Sequence, residues 1–271
     1  MQSLISLSYL DLSLAALLVL ALIGLAGRMQ LGLSRQLAIA AVRTTVQLSI
    51  LGLILKAVFS NVNSLLIAAI SAVMLVVAAM EILSRQKRKL HRRWGFGISL
   101  ASLFVSSFVI TLLALLIIIR ADPWYTPQYA IPLLGMLLGN TMNGIALGMD
   151  RLVQTAWQQR RQIEQRLMLG QTALQAIQDI RRDSMRAGMI PIINAMAAAG
   201  IVSLPGMMTG QILAGSSPQE AVNYQILIMF LITAGTGFGV VSVLSLISRR
   251  LFDSRQRLRF ERLLRPESVS S

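Results

Sequence analysis

Charge-free apolar runs alternate with short basic stretches along the chain. The runs are Leu12–Gly27, Thr44–Leu55, Ala57–Met80, Ile98–Ile119, Ala130–Met149, Ala187–Pro218 and Ala221–Ser248. About 20 apolar residues cross a bilayer as a helix. The pattern therefore predicts an all-α, polytopic membrane protein of about seven transmembrane helices, with spans near 8–27, 38–59, 61–82, 97–119, 130–149, 187–204 and 222–248. The sixth run is anomalous, because its 32 uncharged residues would reach about 48 Å as one straight helix, too long for one crossing and too short for two. Pro205 and Gly206 interrupt it, since proline removes a backbone donor and glycine relaxes the dihedral limits. They predict a crossing to about Leu204 followed by a short broken or re-entrant segment, which is tolerated at depth only when protein buries it.

The longest polar stretch, Asp150–Arg186, is too short to bury a core of its own. It reads as an amphipathic helix to Leu169, a break at Gly170 and a second helix from about Gln171. Ile163, Leu167, Leu174 and Ile177 form its apolar stripe. Such a stripe suits either a helix lying in the membrane interface or one that docks into a partner's groove. Leu263–Ser271 reads as a flexible tail, leaving 1–262 as a single transmembrane domain. Met1–Leu10 carries no Lys or Arg, so no cleavable signal peptide is expected and the first span is retained.

Composition sharpens this reading. The chain is 55% hydrophobic and 13% charged, with mean hydropathy +0.67, whereas soluble domains are about 25% charged. Its net charge of +14 would suit a nucleic-acid binder, but the positions of the basic residues argue otherwise. Of the 25 Lys and Arg, 23 fall on one side if the spans alternate, and only Lys56 and Arg120 on the other. That bias puts the N-terminus outside and the C-terminus inside, with no nucleic-acid partner required. Trp124, Tyr125 and Tyr129 suit an outer aromatic belt and Trp94 an inner one. There is no Cys, and His91 is the only histidine. Disulfides, thiolate metal sites, Cys nucleophiles and a Ser-His-Asp triad therefore drop out.

The three lysines have no Gly-Lys-Ser/Thr context, so no P-loop is present and the chain itself is not expected to be an enzyme. Gly235-Thr-Gly-Phe-Gly239 lies inside an apolar span, where close helix packing explains it better than a dinucleotide loop. Gly135, Gly139, Gly144 and Gly148 mark the fifth span in the same way. Asn140 and Asn143, three apart at mid-depth, suit either bonding to a neighbouring helix or the lining of a translocation pathway. Arg43 and Gln47, four apart in the second span, suit either a snorkelling arginine or a partner for an anionic group. Asp11 and Glu81 read as interfacial. The scarcity of intramembrane carboxylates counts against ion-coupled transport. Met136, Met142, Met189, Met196, Met207 and Met208 read as core filler, though they would also suit a soft ion; the metal ligands, if any, stay unknown.

Three strings carry a family resemblance: IPLLGMLLGNTMNG (Ile131–Gly144), RDSMRAGMIP (Arg182–Pro191) and SLPGMMTGQILAG (Ser203–Gly215). In this order and spacing they resemble the FetB-like permeases, which include bacterial iron-export permeases and plant aluminium-tolerance proteins. The resemblance implies the permease subunit of an ABC transporter, a homodimer in the bacterial inner membrane. It would export iron, another metal or another small solute. It implies a separate soluble ATPase subunit holding ATP and Mg, with no cofactor in this chain. It also suggests Glu164, Gly170, Ile180 and Arg182 as the coupling segment. Asn140, Asn143 and Asn194, with Arg43 and Gln47, are the pathway candidates, and Pro205 and Gly206 the helix break. A stand-alone carrier or channel is the alternative.

Overall fold

A computed structural model describes residues 8–60, 63–86 and 92–259. Among the described residues the regular elements are all helices, and two isolated bridges stand outside them. The chain divides into two compact units, residues 1–63 and 64–271. The first holds α1 (Tyr9–Arg28) and α2 (Ser34–Ser60). Ser8 and Asp11 cap α1 reciprocally, the Ser8 N–H donating to Asp11 Oδ2 at 2.8 Å. Asp11 therefore has a local capping role.

The second unit contains α3 (Ser64–Ser84), α4 (Arg92–Leu103), a π-helical stretch (Phe104–Phe108), α5 (Val109–Leu113) and a second π stretch (Ala114–Ile119). Then come α6 (Pro127–Gln158), α7 (Arg160–Met168), α8 (Ala173–Ala176), α9 (Gln178–Ala198), α10 (Gly206–Leu213) and α11 (Pro218–Arg250). Among the described residues, six helical segments are long and apolar enough to cross a membrane: Tyr9–Arg28, Ser34–Lys56, Ser64–Ser84, Trp94–Ile119, Pro127–Gln158 and Pro218–Arg250. The expected sixth crossing, 187–204, is the second half of α9, which ends at Ala198 rather than near Leu204. Gly200 takes φ +82° and the Ser203 N–H donates back to the Ala198 carbonyl, closing the helix end. Pro205 then caps α10, with Gly206 as its first residue.

Side-chain contacts set the relative directions of the helices in this unit. Met74 lies against Gly135 and Arg85 against Asn143, so α3 runs parallel to α6. Gly144 meets Val240 and Gly148 meets Leu244, so α11 is parallel to α6 as well. Gly144 faces Gly188 and Gly148 faces Ser184, so α9 is antiparallel to both. The Arg250 guanidinium stacks 4.2 Å from the Trp94 ring, which brings the start of α4 to the end of α11.

At the crossing the expected close packing is realised. A Cβ on Gly144 would lie 2.8 Å from the Gly188 carbonyl oxygen and from Thr236 Cγ2, and one on Gly239 2.6 Å from Thr141 Cγ2. Gly139 differs, with no atom within 4 Å of that position. Helix α6 continues past the predicted end at Met149 because Leu152, Val153 and Ala156 stay buried in the core shared with α11.

Candidate functional site

The two asparagines of α6 lie on one side of the helix. Its buried side chains, among them Leu137, Thr141, Ile145 and Leu152, face α9, α11 and the π stretch. Pro132, Asn140, Asn143 and Leu147 form an exposed stripe opposite, with Met136 partly exposed beside them. The Asn140 amide nitrogen donates to the Met136 carbonyl at 2.8 Å. Asn143 Oδ1 accepts from Arg85 Nη1 at 2.5 Å, and Arg85 Nε lies 3.4 Å from Glu81 Oε1. One guanidinium thus joins a carboxylate of α3 to an amide of α6. Gln86 fixes the register, donating through Nε2 to the Ala146 carbonyl at 3.1 Å from a buried position.

Glu81 lies in the last turn of α3. Because α3 and α6 are parallel and in register at three points, Glu81 is level with Asn140. Asp150, the first charge on α6, lies ten residues further, about 15 Å along the axis. An ion pair and two amides therefore sit well inside the apolar length of the bundle, with Arg85 42% and Glu81 22% exposed on the single chain. Lipid contact there is costly, so such groups face protein or a water-filled path. Sequence reasoning missed Glu81 and Arg85 as members. The signal was their i, i+4 spacing, hidden by the neighbouring basic run.

Asn194, the other pathway candidate of this unit, is not gathered here. In α9 the buried stripe is Ile180, Ser184, Gly188 and Ile192. Asn194, two residues on and exposed, lies about 200° round the helix from Ile192. Arg43 and Gln47 are exposed on α2 of the first unit.

The basic end of the unit carries the elbow expected around Gly170. Gly170 takes φ +87°, and the Gln171 N–H donates to the Arg166 carbonyl at 3.1 Å, a helix stop that favours glycine. Arg166 ties the two limbs together, pairing with Asp179 at 3.0 Å and donating to the Ala176 carbonyl at 3.2 Å. Ile163, Ile177 and Ile180 are buried in the main core. Of the apolar stripe, Ile163 and Ile177 are thus spent on the chain's own bundle and Leu167 packs partly against it, while Leu174 stays exposed. What protrudes instead is the tip, where Met168 is 79% and Leu169 83% exposed, with Glu164 and Arg182 exposed on the limbs.

Residues 251–259 form a clasp against this elbow, which sequence reasoning did not foresee. Leu251 and Phe252 are buried, Asp253 gathers the N–H groups of Arg255 and Arg257 at 2.9 and 2.8 Å, and Gln256 Oε1 accepts from the Ala173 N–H at 2.8 Å. The Arg257 N–H is the main cause holding the Asp253 carboxyl below its ordinary value; burial pushes the other way, and Arg259 and the Arg255 N–H add to the lowering. A groove of about 770 Å³ runs between clasp and elbow, lined by Glu164, Met168, Thr172, Arg255 and Leu258 among others. Among the described residues no group of three or more His, Asp or Glu is placed to hold a metal ion. His91 and the 263–271 tail lie outside the described residues.

A bundle of apolar helices with a polar seam in its apolar length defines a multi-pass integral membrane protein. The chain belongs to UPF0014, described as an uncharacterised protein family, whose pattern matches residues 9–252. It is 41% identical over 257 residues to the UPF0014 membrane protein slr1647 of Synechocystis, covering 95% of this chain and 98% of that one. It is 32% identical to the "Probable iron export permease protein FetB" of Escherichia coli, covering 92% and 93%. To the protein ALUMINUM SENSITIVE 3 of Arabidopsis thaliana it is also 32% identical, covering 79% and 77%. No solved structure matches.

Proposed function

We propose that the chain is the permease subunit of an ABC-type exporter in the bacterial inner membrane, working as a homodimer with a separate soluble ATPase that holds ATP and Mg. The cargo is a metal such as iron, or another small solute. One observation carries this reading: the Glu81–Arg85–Asn143 seam, with Asn140 beside it, opens on the surface of the single chain at a depth where lipid would strand it. A water-lined path beside α6, completed by a second copy, satisfies those groups. The relative named as an iron export permease supports the transport class.

In this reading α9 is the sixth of seven crossings, since it returns antiparallel between α6 and α11, and α10 is the re-entrant piece. The N-terminus lies outside, and the basic end with its elbow inside. ATPase closure pushes the elbow at Gly170, and α6 with α9 carries the movement to the seam. The chain itself hydrolyses nothing. Glu81 favours a second reading, a stand-alone carrier, because a carboxylate at that depth can exchange a proton. Co-purification separates the two: a soluble P-loop subunit bound to the elbow, with ATPase activity stimulated by cargo, is expected. A chain that transports in vesicles with no such subunit would establish the carrier instead.

A further inference from the structure

We propose that Glu81, Asn143 and Asn140 form a binding site for a hard, oxygen-preferring cation, and that Arg85 is a tethered counter-cation occupying it between transport events. The proposal rests on the reading of the α6 seam as the transport path. Oxygens from two helices already converge on one positive centre, Asn143 Oδ1 at 2.5 Å from Nη1 and Glu81 Oε1 at 3.4 Å from Nε and 3.5 Å from Nη2. A carboxylate with amide carbonyls is the donor set that hard divalent ions take. Asn140 is level with Glu81 on the same exposed stripe, and its amide nitrogen is engaged by the Met136 carbonyl. An anion would fit worse, because it would have to approach Arg85 past the Glu81 carboxylate.

Arg85 can leave this position. It follows α3, which ends at Ser84, and its side chain is 42% exposed. A long arginine stem can carry its charge toward an interface while the stem stays on apolar surface, and the basic end of α6 lies about 10 Å beyond Asn143. A cation entering the seam displaces the guanidinium, and its return ejects the cation. The arrangement keeps affinity low enough for release while never leaving Glu81 uncompensated at depth.

The test uses full-length permease in lipid nanodiscs, titrated with manganese(II) chloride alone and read by the electron paramagnetic resonance signal of free Mn(II). Wild type should bind weakly. Arg85→Gln should bind at least tenfold more tightly, because the competing charge is gone, and Arg85→Lys should stay within about threefold of wild type. Glu81→Gln should lose binding at least tenfold. Arg85→Gln binding no more tightly than wild type would overturn the proposal, as would Glu81→Gln binding as wild type does. If Arg85→Gln does not fold, Asn143→Asp replaces it, since an added carboxylate should tighten binding at least tenfold and unchanged affinity would overturn the site. Mn(II) binding by a chain that co-purifies with no ATPase and transports in vesicles by itself leaves this site standing and sinks the ABC reading. A cargo-stimulated ATPase complex with no Mn(II) binding does the reverse.

Discussion

Replacing Gly144 and Gly139 by alanine, one at a time, separates two kinds of glycine that look alike along α6. A Cβ at 144 would meet the Gly188 carbonyl oxygen at 2.8 Å, Thr236 Cγ2 at 2.8 Å and Val240 Cγ2 at 3.2 Å. Threonine and valine can rotate, but a backbone oxygen held in α9 cannot, so the helices must part. Overpacking of this kind costs about 1–3 kcal/mol, against which alanine recovers about 1 kcal/mol of helix propensity. Gly144→Ala is therefore expected to lose up to about 2 kcal/mol. At 139 nothing lies within 4 Å, so only the propensity gain remains and Gly139→Ala should be neutral or slightly more stable. Equilibrium unfolding of both variants in mixed micelles, followed by tryptophan fluorescence, should show a gap of about 1–3 kcal/mol between them, the propensity gain being common to both. Equal destabilisation of the two would refute the reasoning. It would mean that Gly139 is packed against something outside the single chain.

The elbow gives a graded series, because Gly170 has open space but φ +87°. Alanine or valine there should strain the turn by about 1–2 kcal/mol and uncouple ATP hydrolysis from transport with insertion intact, while asparagine should be milder; normal cargo-stimulated turnover of Gly170→Val would count against this hypothesis. Asp253 is held below its ordinary value of 3.8, so its contribution to the clasp is complete above that pH and fades only as pH falls through the lower folded value. Amide hydrogen exchange over 253–259 should be flat from pH 5 to 8 after correction for intrinsic rates, with opening only in acid, whereas Asp253→Asn should be open throughout; opening near neutral pH in wild type would contradict the assignment. Gln256→Ala removes the acceptor for the Ala173 N–H, a cap worth about 1 kcal/mol. Exchange at Ala173 should rise about fivefold, and unchanged protection would show that the contact is idle.

Much of the bundle was legible because span formation is local. Twenty apolar residues must make their backbone hydrogen bonds within the segment once water is absent, so α1, α2, α3 and α11 start and stop within a few residues of the charge pattern. The Gly170 break was legible for a similar reason, a glycine standing between two amphipathic stretches. The end of α9 was less so. Pro205 attracted attention, but the chain turns earlier, where the Ser203 N–H reaches back to Ala198. Sequence shows that a stripe exists and cannot show what it faces, so Ile163 and Ile177 looked available to a partner although the core takes them.

The candidate seam shows the same division. By itself the sequence determined that the protein is helical, apolar and asymmetric in charge, because these follow from residue type and spacing along one strand of chain. It also singled out Asn140 and Asn143 as polar groups out of place. Only the tertiary structure decided that Glu81 and Arg85 join them, because depth depends on how α3 slides against α6. That register is set by contacts 58 and 60 residues apart, Arg85 to Asn143 and Gln86 to Ala146, and no periodicity within either helix encodes it.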